Sequence, residues 1–269
     1  MNVPRTMPEG SALLPQVRNV VAITSAKGGV GKSTTCVNLA LSLAAQGRRV
    51  GLLDADIYGP SLPLMMGVRE EPELTPEQKV RPVIREGIAL MSIGFVAGED
   101  APVIWRGPLL GRALQQFLDQ VEWGELDYLL IDLPPGTGDI LLTLSQTIAL
   151  SGAVVVTTPQ DVALEDVERG IAMFERVEVD MLGLIENMSY FICSHCDKRH
   201  AIFGQGGGHK LAERLDIPFL GEIPLEPAVR AGGDQGRPIV LAAPDSSESR
   251  VYGEIAAAIE AQICVLAEE

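Results

Sequence analysis

Ser25-Ala26-Lys27-Gly28-Gly29-Val30-Gly31-Lys32-Ser33-Thr34 is the stretch from which the fold is read. It follows a β-branched apolar run, Val20-Val21-Ala22-Ile23-Thr24, and leads into Thr35-Cys36-Val37-Asn38-Leu39-Ala40-Leu41 and on to Ala45. Strand, glycine-rich loop and helix in that order form the setting of a phosphate-binding loop. The glycines let the backbone fold around an oxyanion with its N–H groups pointing inward. The helix N-terminus adds partial positive charge. The backbone of Gly28, Gly29, Val30, Gly31, Lys32, Ser33 and Thr34 is the expected cradle for ATP. Lys32 would reach the β- and γ-phosphates, and the Ser33 hydroxyl would ligate Mg²⁺. A plain glycine turn between strand and helix is the competing reading.

The strict phosphate-loop pattern has glycine where this chain has Ala26, and an extra lysine, Lys27, precedes Gly28-Gly29. This resembles the deviant loop, K-G-G-x-G-K-[ST], of the nucleotide-driven dimerising ATPases. That group holds the MinD/ParA-like positioning proteins, nitrogenase iron protein and the Mrp/ApbC/Nbp35-type iron–sulfur carriers. The resemblance implies that Lys27 crosses a two-fold interface to the partner's nucleotide. It also implies a homodimer in the ATP-bound form and a slow ATP hydrolase.

Composition agrees with such a fold. The 269 residues are 46% hydrophobic and only 4% aromatic, so aliphatic side chains carry the core. A doubly wound α/β architecture, with a mostly parallel sheet flanked by helices, fits that balance. A net charge of −15 argues against nucleic acid as a general partner. It does not argue against ATP, because Mg²⁺ and two lysines reverse the field locally. No segment has the apolar length of a membrane span, the N-terminus lacks a signal-peptide layout, and four cysteines do not suggest a disulfide framework. No membrane partner and a cytoplasmic location are expected.

Residues 1–18 read as a flexible lead-in, and 19–269 as one ATPase domain. Arg48–Asp54 reads as the second strand, ending in Asp54-Ala55-Asp56 followed by Gly59-Pro60-Ser61. Carboxylates leaving a buried strand end are costly unless they meet a cation or solvent. The match to the carriers' D-x-D-x-x-G-P-S implies that Asp54 holds the Mg²⁺ hydration shell and Asp56 orients the attacking water. Residues 62–86 read as an irregular surface excursion, with Met65 and Met66 either a contact surface or core. Gly87–Phe95 reads as a strand and 109–121 as a helix. Trp105-Arg106-Gly107-Pro108 resembles the carriers' W-R-G-P segment before a helix, and Arg106 is a candidate contact to phosphate or a partner.

Asp127–Asp132 is an apolar run ending in aspartate, the pattern that sets a carboxylate, here Asp132, beside Mg²⁺. Leu133–Asp139 follows as a switch-like loop, with the Gly136 N–H aimed at the γ-phosphate. Further strands at Ala153–Pro159, Met181–Asn187 and Ile217–Pro224, and helices at 161–177, 209–215 and 247–267, complete an alternating pattern. Asn187 either pairs with the adenine edge, as in the relatives, or caps a turn. By the same resemblance Pro224 and Glu226 wrap the purine.

Glu186-Asn187-Met188-Ser189-Tyr190-Phe191-Ile192-Cys193-Ser194-His195-Cys196 narrows the resemblance to the Mrp/ApbC/Nbp35-type carriers. Two thiols separated by two residues chelate one metal centre but leave it half-ligated. A two-fold dimer would bring Cys193 and Cys196 to their copies and complete a [4Fe–4S] site. The implied partners are apo iron–sulfur proteins that accept the cluster. Zn²⁺ with His195 or His200, a redox pair, and unligated thiols remain as alternatives. At the level of function, a positioning ATPase and a zinc-bridged regulatory ATPase are the competitors. Cys36 and Cys264 are both expected to be buried and inert.

Overall fold

The computed structural model describes residues 13–97, 107–136 and 138–268. An eight-stranded sheet runs in the order Phe219–Glu222, Met181–Glu186, Gly152–Thr157, Val17–Thr24, Leu126–Asp132, Val50–Asp54, Ile88–Ser92 and Val83–Arg85. Every neighbouring pair is parallel except the last, where Val83–Arg85 returns antiparallel along Ile88–Ser92. The doubly wound α/β expectation holds. The excursion at 62–86 is more ordered than its prolines suggested. It holds the helical turn Leu62–Met65, the paired short strands Glu73–Leu74 and Val80–Arg81, and that edge strand.

Both faces of the sheet are covered, which is why its strands read as unbroken apolar runs rather than alternating ones. Along Val17–Thr24, Val21 and Ile23 enter the core beneath the helices Lys32–Ala45 and Ser247–Glu268. Val20 and Ala22 point to the opposite face, among Leu114, Phe117 and Leu144 of the helices Gly107–Gln120 and Gly138–Thr147. On the terminal helix Ile255, Ile259 and Ile263 are buried, as their spacing requires. Cys264, one residue and about 100° further round that helix, is exposed, so the expectation of burial fails there. Cys36 is buried, and burial pushes its thiol well above the usual range. Met66 is core, while Met65 packs partly buried against it. The strand expected to reach Phe95 stops at Ser92, whose hydroxyl accepts the Gly94 N–H and turns the chain into Gly94–Ala97.

The two central strands are tied at their amino ends by Arg49 and Asp127. The Asp127 carboxylate accepts from the Arg49 backbone N–H at 2.9 Å and from its guanidinium at 3.0 and 3.2 Å. These hydrogen bonds hold the Asp127 pKa down at about 2. A carboxyl whose folded pKa is depressed contributes stability above its ordinary value and loses it as pH falls toward the folded value. Asp127→Asn should therefore cost up to about 1 kcal/mol at pH 7. In urea titrations the difference from the parent protein should close between about pH 4 and pH 2.

Candidate nucleotide site and cysteine hairpin

Thr24, Asp54, Asp132, Thr157 and Glu186 all end strands at the same edge of the sheet, the edge at which open α/β folds bind ligands. The register makes Asp132 the neighbour of both Ile23 and Asp54. The chain from Ser25 to Gly31 therefore loops over two aspartates. Gly31 enters the following helix with φ 82°, and no side chain caps that helix. The leading N–H groups stay available to an anion, the arrangement a phosphate requires. Beside the loop is a cavity of about 180 Å³, bounded by Gly28, Gly29, Lys32, Thr34, Asp56 and Pro135 among others. A Cβ at Gly28 or Gly29 would meet nothing within 4 Å, so the cradle is open where phosphate oxygens would lie.

Lys32 is the centre of the charge cluster. Its ammonium lies 2.7 Å from Asp132 and 3.3 Å from Asp56, and all three residues are buried. Burial works against the ammonium, but attraction to Asp132 and Asp56 outweighs it and the Lys32 pKa is raised. Burial also pushes the Asp132 carboxyl up, against the pull of Lys32 and Ser33. The Ser33 hydroxyl donates to the other Asp132 oxygen at 2.6 Å. A hydroxyl and a carboxylate so placed beside a phosphate cradle are a donor set that fits Mg²⁺.

Asp54 sits differently. Its carboxylate accepts from the N–H groups of Asp56, Ser61 and Leu62 and from the Ser92 hydroxyl. Burial raises its pKa to about 7, with the charge of Asp132 adding to the effect. In this geometry Asp54 shapes the turn that carries Asp56 to Lys32.

Lys27 rests on Asp166 of the helix Asp161–Arg176, at 3.0 Å. The Gly136 N–H donates to the Ser25 carbonyl at 3.2 Å, which stitches the switch-like loop to the phosphate loop. Arg106 and Thr137 lie outside the described residues.

Asn187 is buried, and its amide donates to the Val30 carbonyl at 2.8 Å. A Cβ at Gly31 would stand 2.2 Å from that amide nitrogen, so glycine is required there by space as well as by φ. Asn187 thus braces the phosphate loop through its NH₂ group. Glu226 caps the helix Pro227–Asp234, its carboxylate accepting the Ala228 N–H at 3.3 Å. Pro224 lies in the segment leading to that helix.

Cys193 and Cys196 sit at the tip of a small hairpin in which Phe191–Ile192 pairs with Arg199–His200. The Cys193 N–H donates to Lys198 O, and the Cys193 carbonyl accepts from both Cys196 and Asp197. The resulting turn presents two thiols, Cys193 partly buried and Cys196 exposed. Hydrogen bonds from the His195 backbone and from Cys196 lower the Cys193 pKa, favouring the thiolate that binds metal. Among the described residues no group of three or more His, Cys, Asp or Glu is arranged to hold a metal ion.

Four residues escaped the sequence reading. Ser92 and Asp166 have no local signature. Arg199 acts through partners distant in sequence. Glu186 had one: like Asp54 and Asp132 it is an acid ending an apolar strand. Fully buried, it accepts the Ser189 hydroxyl at 2.6 Å and the Gly208 N–H.

Comparison with known proteins places this geometry. The family described as ParA, NUBPL iron-transfer P-loop NTPase, matches residues 16–260. The iron–sulfur cluster transfer protein NUBPL of Mus musculus is 51% identical over 245 residues, covering 90% of this chain and 77% of that protein. The iron–sulfur cluster carrier protein of Escherichia coli K12 is 50% identical over 248 residues, 92% of this chain and 67% of that one. Among solved structures, a nucleotide-binding protein from Archaeoglobus fulgidus in complex with ADP superposes with TM-score 0.76 at 40% identity, covering 88% and 92% of the two chains. The cell division ATPase MinD of Pyrococcus furiosus, at 23% identity and TM-score 0.66 over 90% and 98%, shares the fold. No helix among the described residues is long and apolar enough to cross a membrane.

Proposed function

This chain belongs to the NUBPL iron-transfer branch of the ParA family of P-loop NTPases, and from that premise we propose that it is an ATP-dependent carrier of iron–sulfur clusters. The cargo is a [4Fe–4S] cluster held between two copies and handed to apo-proteins. The observation that carries this reading is the hairpin: two thiols two residues apart on a preformed turn, with half the ligands a cluster needs. A second copy supplies the other half. Zn²⁺ in isolated protein would take the same four thiols.

On the nucleotide side, Gly28 to Thr34 bind the phosphates, Lys32 stabilises charge on the γ-phosphoryl group, and Lys27 does so from the partner subunit. Ser33 and Asp132 would hold Mg²⁺, which when bound neutralises the phosphates. Asp56 orients the water, and Asp54 fixes the turn that presents it. Before a partner arrives, Asp166 keeps Lys27 in place. Asn187 links the phosphate loop to the segment that leads to the cysteine hairpin. It braces the phosphate loop and lies six residues before Cys193, so a loop that closes on nucleotide pulls on the segment leading to the thiols. Leu225, between Pro224 and Glu226, donates its N–H to the Tyr190 carbonyl of that segment, and Pro224 and Glu226 would border the purine.

Anaerobic reconstitution of the full chain with iron and sulfide tests the reading. It should yield about two iron atoms per chain, a dimer, and transfer of the cluster to an apo-acceptor. A monomer that hydrolyses ATP and takes up no iron, or one zinc held per single chain, would overturn it.

A further inference from the structure

The hairpin that presents the thiols is small. Two residue pairs form its ladder, Phe191 with His200 and Ile192 with Arg199, and an isolated two-stranded hairpin is barely stable in water. Something beyond the ladder must fix its angle to the body. Arg199 makes the contacts that do so. Its guanidinium carbon lies 3.7 Å above the centre of the Tyr190 ring, and the same group pairs with the Glu222 carboxylate. Tyr190 is the residue entering the hairpin, and Glu222 ends the strand Phe219–Glu222.

Both partners are themselves anchored. The Tyr190 carbonyl accepts the Leu225 N–H at 2.7 Å, and Ser189 N donates to Ile223 O at 3.0 Å. Ile223 N in turn donates to the Glu186 carbonyl, one residue before Asn187 and its bond to the phosphate loop. Residues 186–190 and 222–225 therefore form one stitched block at the carboxyl edge of the sheet. Arg199 clamps the hairpin onto that block from the rung that immediately precedes Cys193.

We propose that Arg199 is a positioning residue of the cluster site, setting the angle at which Cys193 and Cys196 meet the thiols of a second copy. The inference rests on the carrier reading above. Three residues of extended chain reach about 10 Å, so a tilt of about 10° at the root displaces the thiols by nearly 2 Å. Metal–thiolate bonds of about 2.3 Å tolerate far less than that. The flat guanidinium suits both tasks, stacking on a ring while its edge meets a carboxylate, and an ammonium does only the second. Exposed ion pairs contribute little to overall stability, so loss of Arg199 acts on thiol placement rather than on the fold.

The test compares reconstituted wild type with Arg199→Ala, Arg199→Lys and Glu222→Gln. Three readouts are taken: the visible circular dichroism of the cluster, the rate of iron removal by a chelator, and the thermal midpoint of the apoprotein. Arg199→Ala should lose iron at least tenfold faster with an altered cluster spectrum and an unchanged midpoint. Arg199→Lys should fall between it and wild type. If the Arg199→Ala midpoint drops, Glu222→Gln decides, and a tenfold faster loss there supports the assignment. Chelation rates and spectra within twofold of wild type in both variants would overturn it while leaving the carrier reading intact. A wild-type chain that takes up no cluster would overturn both.

Discussion

Lys32→Ala should reduce ATP turnover by a factor of at least about 10²–10³, the usual cost of removing one preorganised donor to a developing anion. It should also destabilise the protein itself. The Lys32 ammonium lies 2.7 Å from Asp132 and 3.3 Å from Asp56, and Asp132 is wholly shielded from solvent. Removing one partner of a buried pair typically costs about 3–5 kcal/mol, because the remaining charge is left uncompensated. The two losses separate by experiment. Lys32→Arg keeps the charge beside Asp132 but carries a larger, planar head group into a loop built around a slim ammonium. Its urea midpoint should fall less than that of Lys32→Ala, because the charge beside Asp132 is kept, while turnover falls as far. A Lys32→Ala protein with parental midpoint and parental turnover would refute both the buried pair and the catalytic assignment.

The legible parts of this molecule were those written locally. A phosphate loop is contiguous, so Gly28 to Thr34 between an apolar strand and a helix mark it even though Ala26 breaks the strict spacing, and the acids that end apolar strands, Asp54 and Asp132, stand out locally too. The cysteine pair is contiguous too, and its hairpin closes through Cys193 and Lys198, five residues apart. What sequence did not show depends on register. Asp54 and Asp132 become neighbours because two parallel strands align them. That Asp54 points its oxygens at Ser61, Leu62 and Ser92 follows from the turn beyond the strand. Asn187 illustrates the limit well. Its position at a strand end was readable, but its partner, Val30, lies 157 residues away. Cys264 was misplaced by a single helical step, since a largely apolar terminal helix hides which of two adjacent residues turns outward.

Cys193→Ser should abolish cluster binding, and the manner of the loss distinguishes a shared cage from a site within one chain. Each chain offers Cys193 and Cys196 on one turn, so if two copies share the cluster as proposed, the substitution removes two of four thiolates at once. A serine oxygen is a hard, weakly acidic ligand that does not replace a soft thiolate on iron. Iron content should fall from about two atoms per chain to near zero. Cys196→Ser should do the same, while Cys264→Ser, near the end of the terminal helix, should keep full iron. The decisive sample is a mixed dimer in which one subunit carries Cys193→Ser. If each chain held its own metal, that dimer would keep half of it at parental tightness. If the metal bridges the pair, three thiolates remain, and all of it becomes labile. Chelator removal followed over time reads the difference directly: one fast phase for the bridged arrangement, a fast and a slow half for two separate sites. A slow half would remove the reason for two copies to meet at this hairpin at all.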